Sequence, residues 1–114
     1  MKKIENAQQI LDIISPIPAE DFCVNLYEDD GKRCFLGHIH NALAEPDDTD
    51  WVRDCGDYNG YGARQLTQRF LKEVHGLDAN GADVNNEIDV NGYNQPEIKD
   101  RVMAMLNDMV AKGY

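Results

Sequence analysis

The sequence predicts a mainly helical α+β domain, with about four helices around one core and a short β-hairpin or ribbon near residues 22–36. Apolar residues recur three and four apart in four segments, which is typical of amphipathic helices. An Asp30-Gly31 pair between two short segments marks a tight turn, because both residue types tolerate positive φ. The 114 residues are enough for one core, so we expect a single globular domain over residues 1–114.

Two helices are predicted in the first half of the chain. The first covers Ile4–Ile14, and Ser15–Pro18 ends it because proline cannot continue a helix. The second covers Phe35–Ala44 and ends before Pro46. The polar, acidic residues 45–62 that follow are predicted as a long loop.

The second half of the chain carries the clearest helical patterns. A third helix is predicted over Ala63–His75, with Gly76 just beyond its end. Residues 77–93 contain Asn-Gly and Asn-Asn pairs and are predicted as a loop. The last helix is predicted to begin at Asn94, with Pro96 in its first turn. Its apolar stripe consists of Ile98, Val102, Met105, Leu106, Met109 and Val110.

The charge balance limits the kinds of partner. The chain has 21 acidic residues against 11 Lys and Arg, for a net charge of -10. Binding a phosphate backbone requires clustered basic residues, so direct binding of nucleic acid or of an anionic membrane is not expected. A partner protein with a basic surface fits this balance.

The spacing of the cysteines and the absence of long apolar runs predict a cytoplasmic location. Cys23, Cys34 and Cys55 are an odd number at wide spacing, which predicts mostly buried free thiols in a reducing environment. The basic start at Lys2-Lys3 has no apolar segment behind it, so we expect no secretory signal. No apolar run is long enough to span a bilayer, and a cytoplasmic protein is therefore expected.

The order of motifs resembles a family of small uncharacterised bacterial and phage domains. The resemblance is carried by Cys34-Phe35-Leu36-Gly37, which opens a helix after the Asp-Gly turn, and by the late loop Val84-Asn85-Asn86. This chain departs from the family pattern at two points, with His38 in place of Ala and Asn85-Asn86 in place of Asn-Asp. The resemblance implies a helical fold and a bacterial or phage origin, and it implies no function.

One cluster is a candidate for metal or thiol chemistry. Cys34 and His38 are four residues apart on a predicted helix, and His40 follows two residues later. As the alternative to an interaction module, these three residues could bind a metal ion or form the catalytic site of a thiol enzyme. Two ligands at helical spacing fall short of a zinc motif. The Asn- and Asp-rich residues 78–94 also fail the calcium-loop pattern, because Ile98 stands where a loop beginning at Glu87 needs Glu. We therefore expect no cofactor.

The acidic loop is the candidate interaction surface. It combines aromatic and acidic residues, a composition that is typical of protein-binding surfaces. The residues expected to form this surface are Asp47, Asp48, Asp50, Trp51, Asp54, Asp57, Tyr58 and Tyr61. The sequence thus favours a non-catalytic interaction module over an enzyme, and one version is an inhibitor that mimics the charge of nucleic acid. A homo-oligomer through the last helix, where Met103 lies off the apolar stripe, stays open.

Overall fold

A computed structural model describes residues 3–25, 28–45, 60–87, 90 and 92–114. The predicted fold class is confirmed, since helices dominate and one short antiparallel hairpin is present. The elements are α1 (Ala7–Ile14), β1 (Glu28–Asp29), β2 (Lys32–Arg33), α2 (Phe35–Leu43), α3 (Ala63–His75), α4 (Gly81–Asn86) and α5 (Ile98–Ala111). Single 3₁₀ turns occupy Ala19–Asp21 and Gly60–Gly62. Within these ranges, no helix is long and apolar enough to cross a membrane.

Buried side chains from all five helices meet in one hydrophobic core. The largest fully buried side chains are Phe35, Phe70, Ile10, Ile14, Leu36, Ile39, Leu71, Met105, Leu106, Met109, Val84 and Val102. Burial of this apolar surface is the main driving force that holds the helices together. Val110, which the sequence pattern placed on the buried stripe of the last helix, is instead 36% exposed.

The hairpin forms where the Asp-Gly pair predicted it. Asp30 has φ 51° and Gly31 has φ 82°, which is the left-handed backbone that a two-residue hairpin turn requires. Asp29 pairs with Lys32 on either side of this turn. A third segment joins the ribbon, because the Cys23 N–H donates to the Arg33 carbonyl at 3.0 Å.

Helix α3 has the bounds that the sequence predicted. Gly76 follows it with φ 69°, and its N–H donates to the Lys72 carbonyl at 3.0 Å. The next residue, Leu77, donates its N–H to the Leu71 carbonyl at 3.0 Å. These two bonds satisfy carbonyls that the end of a helix leaves without partners. The helix therefore ends at a local signal in the sequence, the glycine at position 76.

Helix α4 lies in the stretch that was predicted as a loop, and that prediction was wrong. Asn80 accepts the Ala82 N–H with its side chain at 2.7 Å, and the Asn80 N–H donates to the Asp83 carboxylate at 2.8 Å. This reciprocal capping stabilises a helix of only six residues. So short a segment shows no apolar period, which is why the sequence pattern did not reveal it.

Helix α5 begins later than predicted, at Ile98 with Glu97 as its N-cap, so the predicted cap at Asn94 was wrong. The residues before this start are bonded to Arg101 of the same helix. Nη1 of Arg101 donates to the carbonyls of Gln95 and Pro96, both at 3.1 Å.

Arg101 is buried, with 3% of its surface exposed, and it also binds the end of α4. Its Nε donates to the Val84 carbonyl at 3.0 Å, and its Nη2 donates to the Asn85 carbonyl at 2.6 Å. The guanidinium therefore lies at the C-terminal end of a helix, where the partial negative charge of the carbonyls favours a cation. Through these bonds one side chain joins α4 to α5.

We predict that Arg101→Met lowers the free energy of unfolding by about 3 kcal/mol, because four carbonyls, two of them on buried residues, lose a charged donor. Urea unfolding followed by circular dichroism measures this change. Lys99→Met is the matched control, since Lys99 makes a single bond, to the Ser15 carbonyl, and its loss is expected to cost under about 1 kcal/mol. Equal losses in the two variants would contradict the structural role assigned to Arg101.

Candidate functional site

Most of the predicted acidic surface lies outside the described residues. Asp47, Asp48, Asp50, Trp51, Asp54, Asp57 and Tyr58 belong to this group. Tyr61 is the one member of the predicted surface that the structure describes.

Tyr61 is half-buried at the end of the acidic segment. It has φ 57° and lies between Gly60 and Gly62, which also have positive φ. Its carbonyl accepts the Ile4 N–H at 2.8 Å, and its ring stacks on His40 with the centroids 5.8 Å apart. Tyr61 therefore packs against the folded body of the protein rather than standing free in solvent.

Cys34 is the N-cap of α2 and is fully buried. Its Sγ accepts the Gly37 N–H at 3.3 Å, which satisfies one of the amides at the helix start. The residue is disulfide-bonded. For Cys34 the prediction of a free thiol was therefore wrong, and in this oxidised form it offers no thiolate as a nucleophile or metal ligand.

His38 is a buried residue of α2, with 5% of its surface exposed. Its Nε2 lies 2.8 Å from the Asp21 carbonyl oxygen, and since a carbonyl only accepts, Nε2 must carry the proton. The ring packs against Phe22 with the centroids 4.5 Å apart. Burial lowers the pKa of His38 more than the bond to Asp21 raises it, so the neutral ring is favoured.

His40 points away from His38. Two residues along an α-helix correspond to a rotation of about 200°, so the two rings leave α2 on nearly opposite sides. His38 meets Phe22 and the 3₁₀ turn at Ala19–Asp21, whereas His40 meets Tyr61. Among the described residues, no three His, Cys, Asp or Glu side chains come together as possible metal ligands.

A polar cluster that sequence reasoning did not identify joins α3 to α5. Tyr93 donates its hydroxyl proton to the Asp108 carboxylate at 2.6 Å and receives the Nε2 proton of His75 at 2.8 Å. Lys112, one helical turn beyond Asp108, bonds to the other carboxylate oxygen. Only the Asp108–Lys112 spacing of four is visible in the sequence, because tertiary folding brings in the other two residues.

The contacts of this cluster keep Tyr93 protonated and Asp108 ionised. Burial, followed by the hydrogen bond to Asp108, raises the pKa of Tyr93, so its phenol stays protonated. The hydrogen bonds from Lys112 and then from Tyr93 lower the pKa of Asp108 and keep it ionised. A protonated phenol that bonds to an imidazole and a carboxylate links the two helices. It is poorly suited to act as a general base.

No family model matches the chain, and no curated protein or solved structure shows significant similarity to it. The resemblance drawn from Cys34–Gly37 and Val84–Asn86 receives no support from known proteins.

We predict that His38 makes the protein less stable as the pH falls below about 6.5, the pKa of an unperturbed histidine. The lowered pKa means that the unfolded chain binds a proton which the folded chain resists, so stability falls with pH in this window. The slope has an upper limit of about 1.4 kcal/mol per pH unit for one group. Urea unfolding between pH 5 and pH 7, with NMR titration of the ring, measures it.

His38→Gln keeps a side-chain amide donor and should abolish this part of the pH dependence. His40→Gln is the control on the same helix and should retain it, because His38 is unchanged there. An identical pH profile for wild type and His38→Gln would show that burial of His38 does not govern the slope.

We also predict that Asp108 stabilises the fold at neutral pH and loses this effect in acid. Its pKa is lowered, so the stabilisation is present above the unfolded pKa of about 3.9 and disappears as the pH falls through the folded value. The difference in unfolding free energy between wild type and Asp108→Asn should therefore shrink below about pH 4. The exposed Asp100→Asn provides the comparison on the same helix. A difference that is constant from pH 7 to pH 2.5 would rule out this ionic contribution.

Proposed function

We propose that this protein is a small, non-catalytic interaction module whose acidic surface binds a basic surface on a partner protein. The observation that carries the proposal is the charge that the described residues present to solvent. Ten acidic side chains are exposed against five basic ones. The acids are Glu5, Asp12, Glu20, Asp30, Glu45, Glu73, Asp78, Glu87, Glu97 and Asp100. The bases are Lys3, Lys32, Arg69, Lys72 and Lys112.

Several cations that offset this charge in the formal balance contribute little to the surface. Arg101 is buried among carbonyls, and Lys112 bonds to Asp108. Arg69 lies 4.0 Å from the Glu73 carboxylate. Each of the last two contacts also neutralises an acid, so the exposed side chains outside these pairs are nine acids and three bases. The surface charge of the described residues is therefore negative, and a negative field speeds the encounter with a positively charged partner.

The buried polar side chains support a binding role because they serve the fold. In the part of the chain that the structure describes, the buried polar residues each hydrogen-bond to main-chain atoms; they are His38, Thr67, Asn80, Asn85 and Arg101. Polar groups engaged in this way hold helices and turns in position. The interior thus supplies stability, and the surface is the region available for recognition.

The acidic segment from Asp47 to Tyr61 is the preferred contact region, because its aromatic residues add apolar area to its charge. We propose a bacterial or phage origin and a basic protein as the partner. The disulfide at Cys34 argues against the reducing cytoplasm that the sequence led us to expect. The exposed acids of the described residues are spread over several elements rather than along one stripe. This spread favours an ordinary basic protein surface over strict mimicry of nucleic-acid charge.

We predict that replacing Asp47, Asp48 and Asp50 together by Asn weakens binding to the basic partner about tenfold, because exposed charge pairs contribute about 0.2–1 kcal/mol each. The partner is first captured from a nuclease-treated bacterial lysate at low salt with the tagged protein. Its affinity for the purified chain is then measured by titration calorimetry at two salt concentrations. Binding should weaken as salt rises, since exposed charges are screened.

The matched control is a second triple variant, Glu20→Gln, Asp78→Asn and Glu87→Gln, which removes the same charge from described, exposed positions. Loss confined to the first variant supports the acidic segment as the contact. Equal losses would indicate a general effect of charge with no preferred surface. Unchanged affinity in both variants would refute the acidic-surface proposal.

A further inference from the structure

The pair Asn80–Gly81 is prone to chemical modification, yet the fold requires both residues. Asn-Gly is the dipeptide most prone to spontaneous deamidation, because a following glycine leaves its backbone nitrogen sterically free to attack the side-chain amide. The start of α4 nevertheless consists of this pair.

Each residue of the pair is required by the fold. Asn80 caps α4 with its side chain, as described above. Gly81 is required for packing rather than for an unusual φ, since a Cβ built on it would lie 2.4 Å from Cε2 of Phe35. The ring of Phe35 is fully buried and has no room to retreat, so even alanine does not fit at position 81 without a shift of the core.

The structure also engages both reacting groups. The Gly81 N–H, whose nitrogen is the nucleophile in deamidation, donates to Oγ1 of Thr67 at 2.8 Å. Thr67 is fully buried on α3, and its single hydroxyl proton is shared between the carbonyls of Ala63 and Arg64, each 2.9 Å from Oγ1. The Asn80 side chain is held by the Ala82 N–H, and 8% of the residue is exposed, so access of water is limited.

We propose that Asn80–Gly81 is a deamidation site that the Thr67 hydroxyl protects, so that opening of the start of α4 begins the reaction. In the opened state the Gly81 nitrogen loses its proton and forms a bond to Cγ of Asn80. The side-chain nitrogen leaves as ammonia, and a five-membered succinimide remains. Water then opens one of the two imide carbonyls and gives aspartate or isoaspartate at position 80.

The two products affect the start of α4 differently. Aspartate at position 80 keeps a side-chain oxygen that can cap α4, but it adds a negative charge near Asp83, whose carboxylate accepts the N–H of residue 80. Isoaspartate inserts an additional carbon into the backbone and separates the cap from Gly81. Because Asn85 and two of the four carbonyls that bind Arg101 lie on α4, we expect the chain with isoaspartate to unfold more readily than the intact one.

The test compares the rate of deamidation at Asn80 in matched variants. Thr67→Val has nearly the same shape but removes the acceptor, whereas Thr67→Ser keeps the hydroxyl. Ile10→Val, a core change on α1, controls for a general loss of stability. Each folded protein is incubated at pH 8 and 37 °C, and peptide mapping by mass spectrometry follows aspartate and isoaspartate at position 80. The urea-denatured chain gives the unprotected rate, with Asn59–Gly60 and Asn91–Gly92 as internal references.

We expect deamidation at Asn80 in the folded wild type to be far slower than in the denatured chain. Thr67→Val should raise the folded rate about tenfold, because a buried N–H without an acceptor favours local opening. Thr67→Ser and Ile10→Val should stay near wild type. A rate in Thr67→Val no higher than in these two controls would overturn the proposal.

A second measurement keeps the proposal testable if Thr67→Val does not fold. In wild type at low urea, the rate at Asn80 should rise in proportion to hydrogen exchange at the Gly81 amide, since one opening exposes both. A rate at Asn80 in native buffer that equals the denatured rate would show that the fold gives no protection.

Discussion

The buried guanidinium of Arg101 is the interaction on which the packing of the C-terminal half depends. A cation removed from water costs several kcal/mol unless polar groups replace its hydration shell, and here four main-chain carbonyls do so. Burial lowers the pKa of Arg101, yet an arginine side chain stays protonated in a folded protein. The carbonyls come from the end of α4 and from the turn before α5, so a single side chain fixes both the length of one helix and the start of the next.

Asn85 extends this constraint to the N-terminal half. Its carbonyl binds Arg101, while its side chain accepts the Phe35 N–H at 2.9 Å and donates to the Cys23 carbonyl at 2.9 Å. One buried amide therefore satisfies the first residue of α2 and the strand that lies beside the hairpin. Asn86 continues the contact, since its side chain accepts the Asn25 N–H at 2.7 Å. The six residues of α4 thus carry the bonds between segments that are far apart in the chain.

The sequence predicts those elements whose ends are decided locally. The bounds of α3 and the Asp30-Gly31 turn follow from residues within the elements themselves. Helix α4 is stabilised by capping within six residues, which is too short a segment to show an apolar period. The residues before α5 are bonded to Arg101, and no apolar pattern marks those bonds in the sequence. The same reason hides the tie between His75, Tyr93 and Asp108, because only folding brings α3 and α5 together. Of the predicted interaction surface, Tyr61 alone can be compared with the structure, and its ring packs on His40.

The described residues on either side of segment 46–59 pack against α2. The chain enters it from the end of α2, where the Ala44 N–H donates to the His40 carbonyl at 2.7 Å. It leaves through Gly60, whose close approach to Leu36 places a built Cβ only 3.0 Å from Cδ2. His40 lies at both ends, because its ring stacks on Tyr61. The described residues on either side of this segment are thus held by contacts with α2. For the binding proposed above, ends fixed in this way would reduce the conformational entropy lost on association.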